Sequence, residues 1–340
     1  TITYAGRFAA DGAPASGPAG GGAGGSIWII APICNGTGHI TANGSDGSNE
    51  GTSTGGGGGG RIALDAPDVD ITGTITAFGG AGGNGGPAGN DGTIYYPYEI
   101  YWNGLGDGTY WSNTANWDPP ILPRPWNDTY IILESGANAI QDIDAHVKSL
   151  FLGGANGSQK LTVQDSTLTF DGAFEIGAND TLMVADSTLN GANPIDNDGS
   201  IGLTDGAVVN VAVDNRNVVK VAPESAAELN GGLTSIAASV LELLGPNTLL
   251  KITGPTINNG LIHLESTSPE TSVTLEIAGG SLTNATGGRI QTSGTGEARF
   301  HAECHNAGTL DVGARTVLQK ADAHHSNAAD STLNNAAGQE

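Results

Sequence analysis

The first hundred residues repeat two short phrases at a nearly fixed interval, and this repetition constrains the fold more than any other feature. The phrase GGSIWIIAP at 24–32 returns as GGRIALDAP at 59–67, 35 residues later, and a weaker third copy begins at Asp91. The phrase GHITANG at 38–44 likewise returns as GTITAFG at 73–79. A fixed period of this size predicts stacked strand-and-loop units, because one unit alone cannot bury its apolar face.

Glycine accounts for 55 of the 340 residues, a content typical of disorder unless the glycines serve an ordered backbone. In an ordered chain they either form tight turns or let neighbouring backbones approach closely. The run at 55–60 is too long for a single turn, so we expect close backbone approach there. We therefore predict a Gly-rich strand-and-loop repeat module over residues 1–100.

From about residue 130 the sequence becomes a series of short β-branched or Leu-containing runs between Gly, Asn and Asp turns. The phrase DSTL at 165–168 recurs 21 residues later at 186–189. Alternation within the runs has period two, and only 235–244 has an ambiguous helical period. Turns of about 20 to 30 residues with two or three strands each predict an all-β solenoid, a right-handed parallel β-helix, over 130–340.

Asparagine begins several of the turn phrases, as at Asn197, Asn259 and Asn306. We expect asparagine side chains to stack between successive turns, because stacked amides can satisfy each other's hydrogen bonds. The last repeat stops at Glu340 without a polar cap that would cover the edge of the final turn. We therefore expect the natural polypeptide to continue beyond this point, and we expect self-association or a larger parent filament.

Residues 101–129 concentrate aromatic side chains and are predicted to form a junction or cap between the two repeat systems. The order WNG at 102–104, GTYW at 108–111 and NW at 116–117, followed by a proline and an aspartate, resembles the sequence that opens many autotransporter passengers. The strand pattern of 130–340 is similar to that of filamentous-haemagglutinin-like β-helices. These resemblances imply an extracellular surface protein with a β-helical fold.

The tryptophans of this junction have two interpretations. They either fill and cap the first turns of the helix, which is the usual way to close the open end of a solenoid, or form a platform on which carbohydrate stacks. The residues concerned are Trp102, Trp111, Trp117 and Trp126.

The chain is strongly acidic, with 12 Lys and Arg against 35 Asp and Glu and a formal net charge of -23. This charge disfavours nucleic acid and anionic membrane surfaces as partners, since encounter would begin with repulsion. No apolar stretch approaches the roughly 18 residues that span a bilayer, so membrane insertion is not expected. A surface glycan or a protein receptor is the kind of partner that remains.

Calcium is the one cofactor that the sequence allows, through two groups of aspartates. Neither group matches the nonapeptide of calcium-binding β-rolls, so our preferred interpretation is that the acidic side chains point outward at staggered positions without an ion. The candidate ligands are Asp65, Asp68 and Asp70 in one group and Asp196, Asp198 and Asp205 in the other.

Catalytic motifs are absent from the sequence. Asp142 and Asp144 have no matched base, and neither a nucleophile elbow nor a phosphate loop is present. His301, Cys304 and His305 lack the paired spacing of a zinc site. The sequence therefore predicts an extracellular structural or adhesive surface protein or fibre segment that is not an enzyme. The alternative is a polysaccharide-active lyase or hydrolase, because this fold also carries such enzymes.

Overall fold

The computed structural model describes residues 1–335 except 32, 67, 96–98, 155–156 and 320–323, and it leaves the side chains at 65 and 68–70 undescribed. The described residues form strands and a single 3₁₀ helix at Thr114–Asn116. The chain separates into two compact units, Thr1–Tyr98 and Glu99–Glu340. The described part of the chain contains no helix that is long and apolar enough to cross a membrane.

The first unit contains nine short strands, β1 to β9, in three parallel three-stranded sheets with the orders β1-β4-β7, β2-β5-β8 and β3-β6-β9. Their bounds are Ile2–Tyr4, Arg7–Ala9, Ser26–Ile30, Ile33–Gly36, His39–Thr41, Arg61–Asp65, Asp68–Ile71, Thr74–Thr76 and Thr93–Tyr95. Each strand from β1 to β6 pairs with the strand three positions later in this order, as Ser26 of β3 does with Arg61 of β6. Ile40, Ile62 and Leu64 are fully buried between the sheets.

The Gly-rich segments between these strands hydrogen-bond to several neighbouring segments with a period of three. Within 54–60, every third amide reaches the same neighbour: Gly56 and Gly59 donate to the carbonyls of Pro87 and Asn90 at 2.9 and 2.8 Å, and Gly57 and Gly60 donate to Ser45 and Ala42 at 2.9 and 2.7 Å. A three-residue period belongs to the polyproline II helix, which makes no internal hydrogen bonds and leaves its polar groups to neighbours. The backbone amides and carbonyls of these segments therefore hydrogen-bond to neighbouring segments on several sides, and together the segments form a lattice.

Glycine is required in this lattice because the backbones almost touch. A Cβ atom on Gly56 would overlap with the carbonyl of Gly80, and one on Gly57 would overlap with the carbonyl of Gly22. This is the close approach expected for the run at 55–60. Any larger residue at these two positions has to push the segments apart.

The second unit is a parallel β-solenoid of about nine turns, with three strands in most turns. Its strands begin with β10 (Glu99–Trp102), β11 (Trp117–Asp118), β12 (Asp128–Ile131), β13 (Ala137–Gln141), β14 (Ala145–Val147), β15 (Ser149–Leu152), β16 (Gln159–Gln164), β17 (Thr167–Phe170), β18 (Phe174–Ile176), β19 (Thr181–Ala185), β20 (Thr188–Gly191), β21 (Ile195–Asn197), β22 (Ser200–Leu203), β23 (Ala207–Val209) and β24 (Val213–Asn215). They continue with β25 (Val218–Val221), β26 (Ala226–Leu229), β27 (Leu233–Ser235), β28 (Val240–Leu244), β29 (Thr248–Ile252), β30 (Thr256–Asn258), β31 (Leu261–Ser266), β32 (Ser272–Asn284), β33 (Arg289–Gly294), β34 (Glu297–Asn306), β35 (Thr309–Val312), β36 (Arg315–Leu318), β37 (Ser326–Asn327) and β38 (Thr332–Asn335).

Three parallel ladders form the faces of this solenoid. One is a ten-stranded sheet that runs from β13 through β16 and β19 to β38, and the other two, which start at β10 and β14, join through the long strands β32 and β34. Pairing is parallel throughout these ladders, and β10 with β11 forms an antiparallel pair at their start. The arrangement confirms the all-β solenoid predicted from the sequence, and the ambiguous stretch 235–244 contributes the strand β28 instead of a helix.

The interior is filled by apolar side chains that occupy the same position in successive turns. Leu161, Leu182, Ile201 and Val219 are in register across four strands and are all buried. Burying such a side chain contributes about 1.5–3 kcal/mol. Stacked columns of this kind replace the single compact core of a globular protein.

Asparagine side chains stack inside one corner of the solenoid, as the sequence indicated. The Nδ2 atoms donate to the Oδ1 atoms one turn later at 2.9 Å from Asn197 to Asn215, 2.8 Å from Asn258 to Asn284 and 2.7 Å from Asn284 to Asn306. Ser235 interrupts the column. At the phrase that begins with Asn259, the stacked residue is its neighbour Asn258, and Asn259 instead donates to the carbonyl of Ser235 at 3.0 Å.

Candidate functional site

The outer face of the first turns carries three stacked aromatic side chains, which we call the aromatic ladder: Tyr101, Tyr130 and Phe151. They are in register on β10, β12 and β15. The ring centroids are 4.9 and 4.8 Å apart and the rings lie within 15° and 14° of parallel. The Tyr101 hydroxyl donates to Oε2 of Glu99 at 2.8 Å, and this hydrogen bond, with burial, raises the pKa of Tyr101 to about 12.

An open groove of about 420 Å³ lies beside the ladder. Its lining combines aromatic and aliphatic side chains with two carboxylates and three glycines, namely Tyr130, Ile132, Phe151, Leu152, Gly153, Gly154, Glu175, Ile176, Gly177 and Asp198. The glycines follow β15 and β18, so two successive turns have no side chain at this outer position. The missing side chains leave a depression between Ile132 and Asp198.

A buried carboxylate explains two of the glycines. Asp180 is only 3% exposed, and its Oδ1 accepts a hydrogen bond from the amide of Gln159 one turn earlier at 2.6 Å. Its Oδ2 occupies the space that a Cβ atom on Gly153 or Gly177 would fill. Burial raises the pKa of Asp180. The side chain that links two turns therefore also keeps the floor of the groove free of side chains.

Two cations beside the groove are already paired with carboxylates. Arg216 lies 2.8 Å from Asp196 and 3.7 Å from Asp198, and Lys148 lies 2.9 Å from Asp128. Glu175 is exposed, and among the described residues it has no hydrogen-bond or ion-pair partner. The groove therefore offers hydrogen-bond acceptors and apolar surface to a ligand, with no unpaired positive charge in its lining.

Three of the four predicted carbohydrate-stacking tryptophans lie in the interior. Trp102, Trp111 and Trp117 are at most 2% exposed, and their rings meet edge to face at centroid distances of 4.9 and 4.6 Å. This packing places the indole rings against each other in the interior, where a sugar ring has no access to them. Trp126 is half-buried, with the guanidinium of Arg124 5.9 Å from its ring centroid.

The structure does not bring the second group of predicted calcium ligands together. Asp196 and Asp198 contact Arg216, whereas Asp205 accepts a hydrogen bond from the amide of Ala226 at 2.9 Å. Within the described ranges no cluster of three or more His, Cys, Asp or Glu residues is placed to hold a metal ion. The first group, Asp65, Asp68 and Asp70, has its backbone in β6 and β7, and its side chains lie outside the described ones.

The His and Cys residues near the end of the chain have structural partners. The amide of Cys304 donates to Nδ1 of His325 at 3.3 Å, and His305 lies 2.8 Å from the Ser326 hydroxyl. Both cysteines, Cys34 and Cys304, are free and buried. Burial raises the pKa of the Cys304 thiol to about 11, which keeps it protonated near neutral pH.

Sequence reasoning missed the aromatic ladder and Glu175. A signal was present, because each ladder residue stands between two residues that point inward, as Tyr101 does between Ile100 and Trp102. The three aromatic residues become neighbours only when the register between turns is known.

Comparisons with protein-family models, curated proteins and solved structures find no match to this chain. The resemblance to autotransporter passengers and filamentous-haemagglutinin-like proteins therefore depends on the motif residues alone.

Proposed function

We propose that this protein is a structural and adhesive segment of the cell surface, in which an extracellular β-solenoid displays a binding face. The observation that supports this most is the parallel solenoid of about nine turns. Successive turns of one simple design extend a surface outward at low sequence cost, and each turn needs only its neighbours for stability. The acidic exterior adds solubility, and the aromatic ladder gives the outer face a place for contact.

A polysaccharide-active enzyme is the second candidate, and the groove is the observation that favours it. Glycosidases use two carboxyl groups on either side of the scissile bond, and Glu175 and Asp198 both line this groove. Asp198, however, lies 3.7 Å from Arg216. A carboxylate that contacts a guanidinium is not free to turn toward a scissile bond, as the second carboxyl group of a glycosidase must.

Two measurements test the proposal. Antibodies raised against the purified chain are expected to label intact cells of the source organism as strongly as permeabilised cells. Incubation with soluble polysaccharides is expected to release no more reducing ends or unsaturated products than the Glu175→Gln variant releases. Labelling that requires permeabilisation contradicts the surface location, and product release that Glu175→Gln abolishes makes the protein an enzyme.

A further inference from the structure

We propose that the groove beside the aromatic ladder binds an uncharged glycan chain, with Phe151 as the stacking surface and Glu175 as the acceptor of sugar hydroxyls. This inference rests on the proposed adhesive function and names the chemistry of its ligand. It places the carbohydrate contact on the outer face of the early turns, away from the buried indoles of the cap.

The shape of the groove suits a small ring ligand. Its volume of about 420 Å³ falls within the range of about 300–1,000 Å³ that is usual for small-molecule sites. The groove is open to solvent, because Gly153 and Gly177 contribute no side chains where Asp180 needs the space. A polymer can therefore occupy the groove with one residue and continue across the surface on either side.

Phe151 is the last ring of the aromatic ladder, and it lines the groove together with Glu175. Tyr130 covers one face of Phe151, and the next residue in register on the following turn is Glu175 instead of another aromatic residue. No further stacked ring is found for Phe151 among the described residues. A sugar ring presents an apolar face of C–H groups and a rim of hydroxyls, so it can stack on Phe151 while its hydroxyls reach Glu175.

The charges of the protein and of Glu175 favour an uncharged ligand over an anionic or a cationic one. An ionised carboxylate only accepts hydrogen bonds, so Glu175 requires a donor from the ligand. An anionic glycan would meet a protein of net charge -23, and the cations Arg216 and Lys148 beside the groove are already paired with aspartates. A cationic ligand gains little, since an ion pair with an exposed carboxylate contributes only about 0–1 kcal/mol. An uncharged, hydroxyl-rich ring can pack on Phe151 and also donate hydrogen bonds to Glu175.

Affinity gel electrophoresis with hydroxyethylcellulose, xyloglucan, galactomannan and dextran tests this site. We expect at least one of these neutral polysaccharides to retard the wild-type protein, and Phe151→Ala to weaken binding by about tenfold or more because it removes the stacking surface. Glu175→Gln should weaken it by a smaller factor. Ile257→Ala is the matched control, because Ile257 is 40% exposed and lies on β30, well beyond the groove, and its mobility should follow that of the wild type.

The proposal is overturned if none of the four polysaccharides retards the protein, if Phe151→Ala and Glu175→Gln bind as the wild type does, or if polygalacturonate or poly-lysine alone binds. Circular dichroism melting checks the fold of each variant, and Glu175→Gln carries the test if Phe151→Ala does not fold. Surface labelling without retardation refutes only the glycan site. Retardation together with product release that Glu175→Gln abolishes keeps the site and refutes the non-enzymatic function.

Discussion

At the scale of single residues, the side chain of Asp180 imposes the strictest local requirement in the solenoid. Its carboxylate is buried, links two turns through the amide of Gln159 and fills the space beside Gly153 and Gly177. Gly154 also lines the groove, but a Cβ atom there would only touch Ile132 at an ordinary 3.5 Å. Of the two adjacent glycines Gly153 and Gly154, the surrounding atoms therefore require glycine at Gly153 but not at Gly154.

Replacement of Gly177 by alanine should destabilise the solenoid by about 1–3 kcal/mol, because the new methyl group overlaps with Oδ2 of Asp180 and forces this buried side chain to move. Gly154→Ala is the matched control and should change stability by less than about 0.5 kcal/mol. Urea unfolding followed by circular dichroism measures both. Equal midpoints for the two variants would show that Asp180 does not restrict this position.

The buried asparagine column makes a second prediction at this scale. Asn284 is fully buried, donates to Asn306 and the carbonyl of Thr309 and accepts from Asn258. Asn284→Ala should cost about 2–3 kcal/mol, because buried partners on the adjacent turns lose their hydrogen bonds. Asn210→Ala, in the exposed ladder that Asn210 forms with Asn190 at 2.7 Å, should cost less than about 1 kcal/mol. A similar loss of urea midpoint in both variants would argue against a special role of the buried column.

At the scale of elements, the loop between β10 and β11 is organised around one carboxylate. The side chain of Asp107 accepts hydrogen bonds from the amides of Thr109 and Tyr110 and from the side-chain amides of Asn113 and Asn116. These bonds, led by the one from Asn113, hold the pKa of Asp107 well below its ordinary value. The loop therefore depends on a negative charge at this position.

The pKa shift of Asp107 fixes the direction of a pH effect. A pKa that is lowered in the folded state gives stability that is present above the ordinary value of 3.8 and is lost as the pH falls toward the folded value. We expect tryptophan fluorescence from the neighbouring indoles to report loosening of this loop below about pH 4. Asp107→Asn should weaken the loop at neutral pH and flatten its response between pH 5 and 2. An unchanged pH profile in this variant would contradict the assignment.

How far the fold is predictable also depends on the element. The strands after residue 130 follow from their period-two patterns, and β28 was ambiguous only because three leucines and a valine also fit a helix turn. The register between turns does not follow from sequence, because turn length varies: Tyr101 to Tyr130 spans 29 residues, whereas Tyr130 to Phe151 spans 21. The candidate site was missed for this reason, since register is what brings the ladder and Glu175 together.

At the scale of the whole molecule, the two units form the hydrogen bonds of their backbones in different ways. The first does so largely through glycine segments that bond in several directions, and the second through parallel ladders with stacked side chains inside. Both arrangements bring equivalent positions of successive turns within about 5 Å of each other. A net charge of -23 therefore has to be arranged so that neighbouring carboxylates do not destabilise the stack.

In the solenoid, cationic side chains that contact carboxylates of neighbouring turns reduce part of this repulsion. Asp196 and Asp214 are direct neighbours on adjacent turns, and Arg216 lies 2.8 Å from Asp196. Desolvation acts to lower the pKa of Arg216, but the surrounding aspartates outweigh it and raise this pKa above its ordinary value. Lys251 likewise lies 3.2 Å from Glu228 on the turn before it. Arg216 and Lys251 thus offset part of the repulsion between carboxylates on adjacent turns.

Thermal melting with and without a chelator tests whether stability depends on calcium. A bound ion that contributes about 1 kcal/mol would move the midpoint by about 2–4 °C in a domain of 150–250 residues and by about 4–8 °C in one of 60–100 residues, and we expect EDTA to move it by less than either. Added NaCl should raise the midpoint, because screening weakens repulsion between the exposed carboxylates. CaCl₂ at the same ionic strength should act as NaCl does. A rise that only CaCl₂ produces, and that EDTA reverses, would show that aspartates such as Asp65, Asp68 and Asp70 hold a structural ion after all.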